Sequence, residues 1–568
     1  MGSIDRREYL TATTIDQDFL DRCQDALENK LELIVEIDSP DGKIYASDRN
    51  KYVGSRFYEC LTEFPEIKRS LGNWLSPVVE FSTLTISLSN VDGRFNKYLP
   101  GGSNFHGWIG RTIVIKIGLR DVEATYIPVF VGTITDVGGF SRDRQKITFI
   151  ARDNFDIVDI KFPNLSLTKS SFPYLEDRNI GLVVPYILGD WTVELSTPFA
   201  SIPCYVLNGA NEYVLSGDDK LNLIISVNPN REFDINNFYL KKGDEFYKIH
   251  PNDITINGDN NTVLLAQAGC GGITEIEGEK YVYKSGDQFY CRVKGKAIDG
   301  GYNDNIIWQA RDILLTYGGI NASQLDPNWA TYRDKSSPAQ SAIASFKSRV
   351  WVQEPQSVIQ YAVSLLAQVR LEMFVSRDQK FKINSMHFED WQANPWFKIR
   401  NWDIETGRLE PRLDEANVWN RARGVYSYDP MINDSSKSTP TYRNQAAITQ
   451  ATKDIPKNVV FPNLYKENDV ILNLKEMIKL ASAYSEQLDV VLTSRSFLKD
   501  LGDFVLLNVE MGSIELRDVP CMFREIGYDP RGLKLPAKLW SFQLVPFPGW
   551  TPEYSGIVGG YNATITEE

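Results

Sequence analysis

The stretch Gly110–Ile117, GRTIVIKI, is followed by Pro128–Ile134, PVFVGTI, whose proline stands eighteen residues after the glycine. Far downstream Gly502–Val509 reads GDFVLLNV, and Pro520–Ile526, PCMFREI, again opens eighteen residues after its glycine. Apolar positions pair between the two: Ile113 with Val505, Val114 with Leu506, Ile115 with Leu507, Ile117 with Val509, Ile134 with Ile526. ITFIARDNF (Ile147–Phe155) and WSFQLVPF (Trp540–Phe547) then follow at nearly matching distances as final strands. The plain alternative is that any two strand pairs joined by a hairpin can be aligned this way. Read as a repeat, the chain carries one small β-barrel twice, and three chains about an axis would present six similar barrels, a pseudo-sixfold ring.

Outward from these stretches the chain reads as α+β, β-rich and multidomain: two small β-barrel-like domains of similar pattern, an inserted β domain and an α+β helix-hairpin domain. The first unit, 1–162, opens with a helical segment around Phe19–Leu27. Leu31, Leu33, Val35 and Ile37 then alternate with Glu32, Ile34 and Glu36 before a turn at Pro40-Asp41-Gly42. Short strands about a dozen residues apart predict a barrel or sandwich. An insertion over 163–298 is rich in Pro, Asn, Gly and Asp turns. In the unit 299–400, NDNIIWQARDILLTYGG (Asn303–Gly319) has a cap-like start and a glycine stop. Pro355, Gln356 and Ser357 open a second helix with Val358, Tyr361, Ala362, Leu365, Leu366 and Val369 on one face, before a hairpin turning at Arg377-Asp378-Gln379. A second barrel-like unit spans 401–549, interrupted by a polar stretch Asn433–Gln445 and a helix within Leu472–Gln487; an extended tail covers 550–568.

Composition bounds the function. With 568 residues, 42% hydrophobic, the chain is far larger than one core and predicts roughly three or four domains. Its formal charge of -13, from 61 basic and 74 acidic residues, comes without the basic stripe that grips phosphate. An acidic or neutral wall would still let a nucleic acid slide past. The charged N-terminus lacks a signal-peptide core, and no apolar run reaches the ~20 residues of a membrane span, so synthesis in the cytoplasm and no stable membrane insertion are expected. Six cysteines (Cys23, Cys60, Cys204, Cys270, Cys291, Cys521) show no CxxC pairing and read as reduced core residues.

The chemistry-bearing motifs are weak. In ISLSNVDGRFNKYLP (Ile86–Pro100), Ser89, Asn90 and Asp92 offer clustered oxygens, but the terminal bidentate Glu of a calcium loop is missing. Asp92-Gly93 is what a tight turn requires, with Phe95, Tyr98 and Leu99 packing its corner. The histidines, His106, His250 and His387, lie in separate regions, with no nucleophile elbow nearby, and His106 reads as a loop residue. Cys270 in AGCGG (Ala268–Gly272) lacks the lysine and hydroxyl of a phosphate loop. Acidic pairs in Phe388–Asp390 and Asn401–Pro411 could serve a glycosidase only at a suitable separation. No cofactor, metal or catalytic residue is assigned.

The repeated barrel stretches, together with QSVIQYAVSLLAQVRLEMFVSRDQKFKI (Gln356–Ile383) between them and LSNVDGRFNKYLP (Leu88–Pro100), resemble the bacteriophage tail hub, or baseplate hub and late-control, family, related to the trunk of secretion-system spike proteins. The resemblance covers some two-thirds of the chain and lies in pattern and order. It implies a homotrimer in the virion tail, without enzymatic activity, that joins a hexameric tail tube or distal tail ring to a trimeric spike or tip. Its lumen would pass the tape-measure protein and then DNA without specific binding. Candidate interface residues are Arg111, Ile113 and Ile115 in one copy, Asp503, Val505 and Leu507 in the other, and Trp550 in the tail; Arg111 and Asp503 occupy matching places and could pair between adjacent barrels. The alternatives are a tail-associated cell-wall or polysaccharide hydrolase using two carboxylates, and a glycan- or receptor-binding module in the insertion.

Overall fold

The computed structural model describes residues 31–60, 67–71, 83–98, 102, 104, 107–119, 126–140, 145–153, 160–193, 202–208, 220–228, 230, 232–257, 261–266, 274–281, 283, 286–298, 301–302, 304–330, 345–377, 379–385, 397–413, 418–451, 453–482, 486–493, 496, 499–511, 514–528, 534–541 and 565–567. The helix expected around Phe19–Leu27 lies outside them, as do Cys23, Cys270, His106, His387, the acidic pair of Phe388–Asp390 and Trp550.

The chain is β-rich, with barrel-like sheets and few helices. The first sheet has eight strands, ordered Lys51–Val53, Arg56–Cys60, Gly42–Ser47, Leu31–Ser39, Thr112–Leu119, Ile127–Phe140, Lys146–Asp153 and Thr83–Ser89. Its residues alternate between core and outside, as in Lys146–Asp153, where Ile147, Phe149 and Ala151 are buried. One strand departs from the expected alternation. Glu32 and Glu36 of Leu31–Ser39 are also buried, because Lys51 reaches Glu32 at 2.8 Å and Lys116 reaches Glu36 at 2.8 Å. Paired cations make burial of that face tolerable.

The corner after Thr83–Ser89 is a turn. Asn90 accepts the Phe95 N–H at 2.8 Å and its carbonyl accepts the Gly93 N–H, Gly93 standing at φ +73. Asp92 is held by the Arg94 guanidinium at 2.6 Å. Phe95, Tyr98 and Phe149 surround the buried Trp108, their ring centroids 5.9, 5.0 and 4.6 Å from it; Leu99 lies outside the described residues.

The insertion contains a seven-stranded antiparallel sheet, Glu245–Lys248, Glu232–Lys242, Gln288–Lys294, Ile202–Val206, Lys220–Ile224, Thr262–Ala266, Ile254–Ile256, with its own apolar cluster. His250 stands there as a cap, its Nδ1 accepting the Asn252 N–H. Cys204, Cys291 and Cys521 are buried, but Cys60 is exposed: it ends the edge-side strand Arg56–Cys60 on its outer face.

Two helices pack together next. Helix α1, Ile306–Tyr317, is capped by the Asn305 side chain, which accepts the Ile307 and Trp308 N–H groups. Helix α2, Val358–Ala367, is capped by Ser357 and buries Val358, Tyr361, Ala362, Leu365 and Leu366. The hairpin Leu371–Val375 with Phe381–Ser385 follows, its turn passing through Gln379 at φ +59.

In the last region two expectations are corrected. The polar stretch at 433–445 is mostly a strand, Asp434–Arg443, antiparallel to Arg421–Asp429; its Ser and Thr side chains suit a sheet with one wet face, which polarity alone conceals. The expected helix begins five residues earlier, Glu467–Ser482, and Glu486 already belongs to the strand Glu486–Leu492. Between these elements a short helix, α3, covers Gln445–Ala451, and Glu467–Ser482 is α4.

Candidate functional site

The second barrel-like sheet is ordered Phe397–Arg400, Phe504–Met511, Ile514–Tyr528, Leu535–Ser541, Glu486–Leu492, Ile404–Leu413. Four of these strands repeat the first sheet, with the same chain order and the same neighbours: Thr83–Ser89 corresponds to Glu486–Leu492, Thr112–Leu119 to Phe504–Met511, Ile127–Phe140 to Ile514–Tyr528, and Lys146–Asp153 to Leu535–Ser541.

Hydrogen bonds fix the correspondence residue by residue. Gly110 N–H donates to Ile134 C=O and Ile134 N–H donates to Arg111 C=O, both at 2.8 Å; Gly502 N–H donates to Phe523 C=O at 2.9 Å and Phe523 N–H to Asp503 C=O at 3.1 Å. Both glycines adopt positive φ, +82 and +75. Gly110 therefore matches Gly502, and Arg111 matches Asp503. The counterpart of Ile134, however, is Phe523 and not Ile526. Pro128 faces Lys116 whereas Pro520 faces Leu506, so the two prolines do not correspond. The loop from Leu119 to Ile127 is longer than the Met511–Ile514 connection, so the equal eighteen-residue intervals conceal a three-residue offset.

A β-bulge sits at the same place in both sheets, between Ile134 and Asp136 and between Phe523 and Glu525. Bulges bend a strand and redirect a side chain. In the first copy the extra residue is Thr135, whose hydroxyl lies 3.4 Å from Ile150 C=O. In the second it is Arg524, which the bulge turns onto Glu372 in the helix-hairpin unit, at 2.6 and 2.7 Å from its two carboxylate oxygens. The corresponding interior pairs differ in size: Ile86 faces Phe149 in one sheet, and the smaller Val490 faces Ala537 in the other.

One apolar cluster runs through both copies, from Leu33, Ile86, Phe130 and Phe149 to Leu488, Leu507, Phe523 and Leu539. A strand crosses between them as well. Ile67–Ser70, from the first unit, pairs antiparallel with the end of Ile514–Tyr528, Arg69 facing Ile526. Its Arg69 donates to Asp500 at 2.6 Å, and Asp500 also accepts the Arg377 N–H at 2.7 Å. Burial pushes the Asp500 carboxyl up, but Arg69 and Arg377 outweigh it and hold the group at about 2. Lys68 and Lys538 flank Glu525 at 3.0 and 3.2 Å on the outer side.

The interface candidates divide by facing. Ile113, Ile115, Val505 and Leu507 are fully buried in the chain's own core, so their side chains are not available to another chain. The same strands turn Val114, Lys116, Leu506 and Asn508 outward, as the period of two requires. Arg111 is exposed and donates to Gly107 C=O; Asp503 is half-buried, accepting the Asp500 N–H at 2.9 Å, with Lys382 at 4.0 Å. The junction residues Arg69, Asp500 and Arg524 carried no sequence signal beyond being charged residues in apolar strands or at their ends.

Among the described residues, no three His, Cys, Asp or Glu side chains gather as a metal site, and no helix is long and apolar enough to cross a membrane. Glu405, in one of the acidic stretches, pairs with Lys534 at 2.5 Å.

No protein-family model and no curated protein matches the chain. Among solved structures it is similar to the tail protein from Neisseria meningitidis MC58, at 8% identity over 90% of this chain and 96% of that one, with a TM-score of 0.42. It is similar also to the 43 kDa tail protein of prophage MuSo2 from Shewanella oneidensis, at 10% identity over 90% and 98% of the two chains, TM-score 0.38. A third similarity is to a chain in the virion of a native gene transfer agent particle, at 11% identity over 66% and 87%, TM-score 0.38. These structural neighbours are tail and virion proteins.

Proposed function

We propose that the chain is a structural protein of a phage tail, a hub whose three copies close into a ring of six barrels. The observation carrying this reading is the duplicated four-strand sheet with its bulge at the same place in both copies. A protein that holds one barrel twice can meet sixfold neighbours on one side and threefold neighbours on the other. The hexameric partner is a tail tube or distal tail protein, and the trimeric partner a spike or tip. The lumen passes the tape-measure protein and then DNA, for which a net charge of -13 supplies no general grip. Outward side chains of Thr112–Leu119 and Phe504–Met511, with Arg111 and Asp503 at matching places, supply contacts between neighbouring barrels. In this reading the chain performs no catalytic step.

The test is the mass of the purified full chain by light scattering over a concentration series, with particle images averaged down the symmetry axis. Three copies of 64.5 kDa in a threefold ring with sixfold features at one end are expected. A chain that stays monomeric at all concentrations and also fails to join a ring when mixed with the tail-tube protein overturns the proposal.

A further inference from the structure

Ser348 and Leu464 face each other as an antiparallel bridge, and one residue on, Arg349 N–H donates to Asn463 C=O at 2.9 Å. The Asn463 side-chain amide donates to Arg349 C=O, also at 2.9 Å. Beyond this point the two strands part. Val350–Val352 goes on to pair with Tyr186–Leu188, and Pro456–Phe461 pairs with Arg421–Asp429. A cleft of about 1020 Å³ opens between them, lined by Trp351, Gln353 and Glu354 on one side and by Asn458, Val459 and Val460 on the other.

Both walls are β-edges. Neither Val350–Val352 nor Pro456–Phe461 has a second strand neighbour among the described residues. Because Arg349 turns its N–H and C=O toward Asn463, the alternation of an extended chain turns those of Trp351 toward the cleft. Val460 is 57% exposed beside it.

The cleft also has an aromatic floor held by a strained residue. The rings of Trp351 and Tyr428 stack at 5.8 Å with 24° between planes. Tyr428 follows Ser427, which sits at φ +63 and accepts a 2.9 Å bond from the Arg349 guanidinium. Left-handed backbone at a residue other than glycine concentrates where a surface is shaped for a ligand.

We propose that this fork is a strand-acceptor site, taking an extended segment of a partner polypeptide between its two edges. Glu354 and Lys457 stand on opposite walls, and the third charged lining residue, Arg349, is buried and engaged with Ser427 and the Trp191 ring. The partner segment therefore needs no charge at its centre, and it sets an aromatic or large apolar side chain on the Trp351–Tyr428 pair. An inserted strand would satisfy both edges at once, whereas a sugar could stack on the rings but would leave both ladders unmatched. The chain already joins its own parts in this manner: Ile67–Ser70 extends the second barrel, and Thr566–Glu567 adds to Asp434–Arg443 at the far edge of the sheet that holds Pro456–Phe461. The proposal rests on the fork alone and is independent of the hub reading.

The test uses the full chain against a displayed random dodecapeptide library, with a printed glycan array run in parallel. Enriched peptides carrying aromatic or apolar residues at alternate positions are expected. Their binding should weaken at least about tenfold in Asn458→Pro, which removes an N–H from the open edge, since Ile455 C=O accepts the Arg421 N–H and the alternation then turns Asn458 away from that neighbour, and in Trp351→Ala. The exposed-site variant Val460→Arg, which leaves the core untouched, should weaken it too, and bound peptide should slow amide exchange at 351–353 and 457–461. Failure to enrich any peptide, binding that all three variants leave unchanged, or glycan binding at the cleft without peptide binding would each overturn the proposal.

Discussion

Arg69 and Asp500, 431 residues apart in the chain, meet at 2.6 Å and tie the strand Ile67–Ser70 to the second barrel. Both side chains are nearly buried. Removing one partner of such a pair leaves the other charge stranded, at a cost of about 3–5 kcal/mol. Arg69→Met should therefore lower the urea midpoint of unfolding strongly. Arg69→Met combined with Asp500→Leu should recover much of that loss, and a double variant no better than the single would show that the residues do not act as a pair.

The same carboxylate predicts an acid limit. Asp500 is held at about 2 in the folded chain, below the ordinary carboxylate value near 3.8. A lowered folded pKa gives stability that is fully present above the unfolded value and is lost as pH falls through the folded one, here between about pH 4 and pH 2. Its size is about 2–3 kcal/mol. Stability measured across that window should fall less steeply in the Arg69→Met/Asp500→Leu variant than in the native chain; equal slopes would remove Asp500 from the account.

Gly110 and Gly502 serve the same backbone role in the two sheets but have different surroundings. An added Cβ at Gly110 meets nothing within 4 Å, whereas at Gly502 it meets Phe374 at 3.1 Å and Asn384 at 3.0 Å. Gly110→Ala should cost only the left-handed penalty of about 1–2 kcal/mol. Gly502→Ala should cost measurably more, because Phe374 belongs to the shared core. Thermal unfolding of the two variants side by side checks the order.

Cysteine accessibility separates edge from core. With Cys23 and Cys270 replaced by serine, a thiol reagent should modify Cys60 rapidly in the folded protein and leave Cys204, Cys291 and Cys521 unmodified until unfolding. Burial pushes the Cys291 thiol well up, so it also has little thiolate to react. Rapid loss of more than one thiol per chain would contradict the burial pattern.

Much of this architecture was legible because it depends on short-range periodicity. The glycines at Gly110 and Gly502 and the alternation of Ile113, Ile115 and Ile117 against Val505, Leu507 and Val509 declared two related strands, since a strand with one buried face writes its period into the sequence. The caps of α1 and α2, Asn305 and Ser357, were readable for the same local reason. Those inward residues were read as interface candidates although their side chains fill the chain's own core, since periodicity says which residues share a face and not whether that face meets its own chain or another. The polar strand Asp434–Arg443 was missed because its stability comes from a partner strand and not from its own composition.

The sequence by itself determined the strands with one buried apolar face, among them the two related patterns after Gly110 and Gly502, together with the turn at Asp92-Gly93 and the helix caps, each set by neighbours within a few residues. Tertiary structure alone decided the true register of that repeat, with Phe523 and not Ile526 opposite Asp503; the crossing of Ile67–Ser70 into the second sheet; the Arg69–Asp500 contact; and the fork beyond Ser348 and Leu464. Each joins segments far apart in the chain, where loop length sets which residues can meet and burial decides which charges must, and neither quantity is written in the local order of residues.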